Sequence, residues 1–192
     1  LGFKLRRAIV ASSPRVSLRS VETENDMLEK LKPAEETSSE IGPLKAFKLN
    51  LGSAIANTIA KLIKKTPQRK IRTCTSGIIS PLIESVGEKE LGLLEILLLP
   101  ESLNTDEMDL VGLRTCLAEE IQHKIITALP GLESAEIVRP AYGVEYSFID
   151  KTQIKTTLET HVDGLFVAGQ VGSGNGLLEA ALTGLVAGLN TS

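Results

Sequence analysis

The sequence predicts a mixed fold of helices and short strands, of the α/β or α+β class. Three observations predict it. Residues 53–65 and 116–129 repeat their apolar side chains at helical spacing. The runs LEILLL at 94–99 and GLFVA at 164–168 are apolar and of strand length. The second run leads into a glycine-rich turn and then into a helix from about Leu177 to Leu189. With 192 residues, 42% of them hydrophobic, the chain can build one core, or one core with an appended lobe.

Residues 1–21 carry Lys4, Arg6, Arg7, Arg15 and Arg19, with no acid before Glu22. They read as a strand and loop of a folded protein, or as a leader of mitochondrial transit type, the first residue being Leu1. Residues 22–52 read as an acidic connector, a short helix opening its stretch 22–43 ahead of a mobile portion. In 53–65, Ile55, Ile59, Leu62 and Ile63 share a helical face, and Lys64 and Lys65 suit a helix C-terminus before Pro67. The strand at 94–99 ends at Pro100. Leu117, Ile121, Ile125 and Leu129 recur every four residues, and Pro130-Gly131 stops that helix. Residues 135–138 and 144–149 read as strands on either side of Arg139-Pro140.

A formal net charge of -3 disfavours nucleic-acid binding by whole-surface charge. One local strip is basic: Lys61, Lys64, Lys65, Arg69, Lys70 and Arg72. It reads as a contact for RNA phosphates, or as a solvated helix end and loop. Aromatic residues are 3% with no Trp, so the core must be aliphatic and base-stacking platforms are scarce. No apolar run reaches the ~18 residues that spanning a bilayer needs. Two cysteines, Cys74 and Cys116, make neither a disulfide framework nor a cysteine-rich zinc site, and their expected role is packing. His123 and His161 are the only histidines, and neither sits in a metal or triad motif.

The turn Gly169-Gln170-Val171-Gly172-Ser173-Gly174-Asn175-Gly176 joins strand to helix. Glycines let backbone N–H groups approach a ligand closely, and a helix N-terminus adds partial positive charge, so the pattern suits an anion. It is not a Walker loop, because no Gly-Lys-Ser/Thr follows. Nor is it an opening dinucleotide fingerprint, which needs an acid about 20 residues downstream. A tight turn without a ligand is the alternative.

From Leu132 to Asn190 the chain resembles the GidA/MnmG family, FAD-dependent tRNA uridine 5-carboxymethylaminomethyl modification enzymes. The resemblance rests on GLESAEIVRPAYGVEYSFIDKTQIKTTLET and on GLFVAGQVGSGNGLLEAALTGLVAGLN. Upstream, LPESLNTDEMDLVGLRTCLAEEIQHKIITALPGLE resembles the family's strand, Gly-Leu-x-Thr-x-Leu turn and helix. LGFKLRRAIVASSPRV echoes it more weakly and favours the folded reading of residues 1–21. The resemblance implies that 132–192 is the C-terminal part of an FAD-binding, Rossmann-like domain: its last strand, glycine turn and helix. Residues 53–131 become a lobe inserted before it. Gly169, Gln170, Gly172, Gly174, Asn175 and Gly176 would then face FAD, with Ala181 and Gly184 packing the helix closely. Leu177-Leu178-Glu179 stands where the family has Tyr-Glu-Glu. Glu145 and Tyr146 match family positions, with strand packing and hydrogen bonding as their expected role.

The same resemblance places Ser80-Pro81-Leu82-Ile83-Glu84 on a Cys-Pro-Ser-Ile-Glu motif, so Ser80 occupies the position of a nucleophilic cysteine. A serine hydroxyl is barely ionised at neutral pH, and no catalytic residue is assigned. The family's opening Gly-x-Gly-x-x-Gly unit has no counterpart in the sequence. Two readings follow. In one, the chain is a flavoprotein segment that needs a partner chain or segment carrying the N-terminal Rossmann half, and is not catalytic alone. In the other, it is a degenerate pseudoenzyme acting as a structural or assembly subunit of a large ribonucleoprotein. The expected compartment is mitochondrial, otherwise cytoplasmic.

Overall fold

The computed structural model describes residues 2–31, 45–66, 82–172 and 176–191. They fall into two compact units. The fold is mixed α+β, as the sequence predicts.

The larger unit takes its described residues from 11–31, 45–66 and 82–143. Its strands are β2 (Arg15–Ser17), β3 (Leu28–Lys30), β4 (Phe47–Asn50), β5 (Glu95–Pro100), β6 (Glu107–Val111) and β7 (Ile137–Arg139). They form one sheet in the order β3-β4-β5-β6-β2-β7. Each neighbouring pair is antiparallel. Strand side chains alternate between faces, so one face collects Val16, Phe47, Leu49, Ile96, Leu98, Met108 and Leu110, all buried. This face shares a core with Ile59 and Ile63 of helix α1 (Gly52–Lys64) and with Ile125 and Ile126 of helix α3 (Glu119–Ile126). The other face carries charged pairs such as Arg15–Glu101 at 2.8 Å and Lys48–Glu95 at 2.6 Å. Helix α2 (Glu88–Leu91) is a single turn.

The smaller unit takes its described residues from 2–10 and 144–191. Strands β1 (Leu5–Ala11) and β8 (Gly143–Ile149) pair as a two-stranded sheet. A looped segment follows and leads to helix α4 (Leu177–Asn190). At the end of β8, Asp150 is buried, bonded by Arg6 Nε at 2.6 Å and by the Thr152 N–H at 3.2 Å.

Several elements differ from expectation. The short helix expected to open 22–43 is instead a turn and strand β3, paired through Leu28↔Leu49, because the sheet offers Leu28 a buried site. In the stretch read as a connector, residues 47–50 form β4, whose Phe47 and Leu49 point into the core. The helix expected over 116–129 is trimmed to Glu119–Ile126. Thr115 and Cys116 are held in a turn by Glu84, and Ala128 and Leu129 close tighter bonds to Ile125 and Ile126. The strand expected at 164–168 shrinks to one bridge, Glu159↔Phe166.

Candidate functional site

The glycine turn is built from a short double-back in the chain. The Lys155 N–H donates to the Glu159 carbonyl at 2.8 Å, and the Leu158 N–H to that of Lys155 at 2.9 Å. Leu158 takes a positive φ of 68°, uncommon outside glycine. Its carbonyl accepts the Val167 N–H at 2.9 Å, which aims the chain at Gly169. Gly169 also has a positive φ, 64°, and a Cβ there would lie 3.6 Å from Ala180 Cβ on α4. Residues Gly169–Gly172 then close a tight helical turn, with Gln170 exposed.

Gly169 is tied to α4 by its N–H, which donates to Thr183 Oγ1 at 2.9 Å. The Thr183 hydroxyl donates in turn to the Glu179 carbonyl at 2.7 Å, with the Ala180 carbonyl at 3.1 Å. Gly176 caps α4 in extended backbone, and Glu179 occupies the first helical turn, where its charge complements the helix dipole. Gly174 and Asn175 lie outside the described residues. Ala181 and Gly184, expected to pack closely, lie on the exposed side of α4, and a Cβ on Gly184 would meet nothing within 4 Å. The residues of α4 that face its unit are Ala180, Thr183 and Ala187.

A second constellation surrounds Glu84 in the larger unit. Its Oε1 accepts the Cys116 N–H at 2.8 Å and its Oε2 accepts the Thr115 hydroxyl at 2.8 Å. The Ile83 N–H donates to the Arg114 carbonyl at 3.0 Å. Thr115 is buried, and its Oγ1 also accepts the Leu117 N–H at 3.1 Å. Burial, and then the Glu84 charge, push the Cys116 thiol above its ordinary pKa, so it is a poor nucleophile at neutral pH. Ser80 and Cys74 lie outside the described residues.

Of the basic strip, Lys61, Lys64 and Lys65 are exposed at the end of α1, and Lys64 pairs with Glu88 at 3.2 Å. Arg69, Lys70 and Arg72 lie outside the described residues. Glu145 pairs with Arg7 at 3.0 Å, and the Tyr146 ring lies 6.2 Å from that of Phe148. Among the described residues no group of three or more His, Cys, Asp or Glu could hold a metal, and no helix is long and apolar enough to cross a membrane.

Sequence reasoning passed over Thr183 and the bonds of Glu84. Thr183 had a signal: it is the one hydroxyl in LLEAALTGLVAGLN, and mid-helix hydroxyls commonly bond back one turn. The bonds of Glu84 cross about 31 residues of sequence and leave no local signature.

An antiparallel α+β unit, joined in one chain to a glycine turn that leads a helix, defines the class: a mixed α+β protein with a glycine-rich turn ahead of its last described helix. The family model for glucose inhibited division protein A matches residues 1–192, and the chain belongs to that family. The tRNA uridine 5-carboxymethylaminomethyl modification enzyme MnmG of Karelsulcia muelleri is 34% identical over 206 residues, covering 100% of this chain and 33% of that protein. The enzyme of the same name from Desulfitobacterium hafniense is 46% identical over 99 residues, covering 51% of this chain and 16% of that protein. Aquifex aeolicus GidA in its form I crystal superposes with a TM-score of 0.72 at 28% identity, covering 99% of this chain and 34% of that one. The chain spans about a third of the length of the relatives that it matches end to end.

Proposed function

We propose that this chain supplies part of the FAD site of a tRNA uridine-modifying enzyme of the MnmG type, the rest coming from sequence that relatives hold outside the matched third. The observation that carries this reading is the Gly169 turn, with its positive φ and its bond to α4, in the segment that resembles the family's flavin segment. A side chain at Gly169 would strain the backbone, and a Cβ there would meet Ala180 Cβ at 3.6 Å, so glycine lets the turn lie against α4. The fit to the cofactor rests on this glycine-built turn together with the resemblance of its segment to the family's flavin segment. FAD, when bound, supplies electron transfer to the modification chemistry.

The chain's own contribution is binding and orientation. Gln170, Gly172 and Gly176 would present backbone to the cofactor, while the Gly169 N–H is held by Thr183 and shapes the turn. Glu179 already offsets the positive end of α4, so the turn favours a hydroxyl-bearing, ribityl-like portion over a second anion. Lys61 on α1 and Lys65 just past its end are candidate contacts for tRNA phosphates. With Ser80 at the cysteine position, the run 80–84 brings no thiolate, and Cys116 is disfavoured by its raised pKa.

The test is flavin retention. The chain is co-expressed with a polypeptide supplying the remaining family sequence, and the complex is scanned for bound FAD. Expected is a yellow complex that loses flavin on Gly169→Val. A colourless complex overturns the reading. The serine at position 80 favours a second reading, that of a non-catalytic structural subunit in a ribonucleoprotein. Co-sedimentation of a colourless chain with such a particle would select it.

A further inference from the structure

We infer that Thr183 is the positioning residue of the glycine turn, holding Gly169 in the conformation that receives the flavin. This rests on the FAD reading above and names the side chain that makes the turn competent.

The geometry uses the whole hydroxyl. Its proton goes to the Glu179 carbonyl at 2.7 Å, so the oxygen is anchored to the backbone of α4 one turn earlier. A lone pair remains for the Gly169 N–H at 2.9 Å. Thr183 thus ties the first residue of the turn to the helix that the turn leads, across 14 positions of sequence. Glycine is the residue that needs such a tie most. Without a Cβ it visits both signs of φ readily, so an untied Gly169 would lose more freedom on binding. A turn ordered beforehand does not lose that freedom again when the ligand arrives. The positive φ of Gly169 points the same way, because a Cβ there would be strained and it is the hydrogen bond to Thr183 that is left to fix the turn.

Thr183 acts through Gly169, and no contact with the cofactor is required of it. The threonine methyl and the valine methyl have the same shape, so Thr183→Val deletes the hydrogen bonds and preserves packing. Thr183→Ser keeps the hydroxyl.

The experiment compares wild type, Thr183→Val and Thr183→Ser in the co-expressed complex, reading the FAD dissociation constant and amide hydrogen exchange of residues 165–172. Thr183→Val is expected to weaken FAD by about two- to tenfold, the worth of one neutral hydrogen bond, and to speed exchange at Gly169. Thr183→Ser is expected to restore both. If wild type binds FAD and Thr183→Val binds it equally well, or if Thr183→Ser fails to rescue, this inference is overturned and the FAD reading stands. If wild type takes up no FAD, both fall.

Discussion

Gln122 is buried in α3, and its side-chain amide makes three hydrogen bonds. Its Nε2 donates to the Leu117 carbonyl at 2.7 Å and to the Ala141 carbonyl at 2.9 Å, and its Oε1 accepts the Ala141 N–H at 2.7 Å. Replacing it by leucine keeps the volume but leaves both backbone groups of Ala141 without partners. Each unpaired buried group costs about 1–3 kcal/mol, so Gln122→Leu is expected to destabilise the larger unit by about 2–6 kcal/mol, measured by urea denaturation. An unchanged midpoint would contradict this account. Asp150 makes a different prediction in the smaller unit. The Arg6 guanidinium beside it, then the Thr152 N–H, hold its carboxyl at about 2 against an ordinary 3.8. A lowered folded pKa means stability that is complete above the ordinary value and is lost as pH falls from 3.8 towards about 2. Asp150→Asn should therefore flatten that acid limb while leaving the neutral region with no further pH dependence. Acid titration followed by circular dichroism reads the difference.

At the scale of elements, the turn between β6 and α3 shows how backbone and side chain cooperate. Gly112 has a φ of +102°, and a Cβ there would sit 2.5 Å from the Glu95 carbonyl oxygen. Neither the angle nor the contact admits a side chain, so Gly112→Ala is expected to cost more than about 2 kcal/mol in chemical denaturation. Glu84 fastens the next residues of the same turn through Thr115 and Cys116. Removing its charge in Glu84→Gln takes away one of the two causes that raise the Cys116 thiol. The pH midpoint for alkylation of Cys116 should then move down, and an unmoved midpoint would remove Glu84 as a cause. These elements also show what was legible in sequence. Helices α1 and α4 and strands β5 and β8 were readable, because their apolar spacing and their glycine or proline ends are local signals. Strand β3 was not, since Leu28 earns its conformation from a partner about 21 residues away, and the acidic neighbours around it read as helix or loop. Of the candidate site, Gly169 was visible through its motif. Thr183 was legible only in half: a mid-helix hydroxyl signals a bond one turn back, but its tie to Gly169 is set by a turn outside its own helix.

For the molecule as a whole, α4 carries an apolar surplus that its own unit does not cover. Apart from Glu179, Thr183 and Asn190 its residues are apolar or glycine, a pattern that belongs to helices buried on several sides. Yet Ala187 is its only buried residue, while Leu177 is 92% exposed, Leu185 61% and Leu189 67%. Scattered exposed leucines need no explanation, but a contiguous stripe along one helix does. Such a stripe binds apolar dyes and promotes association. The chain on its own is therefore expected to enhance the fluorescence of an anilinonaphthalene sulfonate dye while natively folded. Leu182→Gln with Leu185→Gln should remove much of that signal. Because both side chains are more than half exposed, the melting temperature should change little, as surface substitutions usually stay within about 0.5 kcal/mol. A large loss of stability in the double variant would mean that these leucines are core residues. Retention of the full dye signal would place the apolar surface elsewhere.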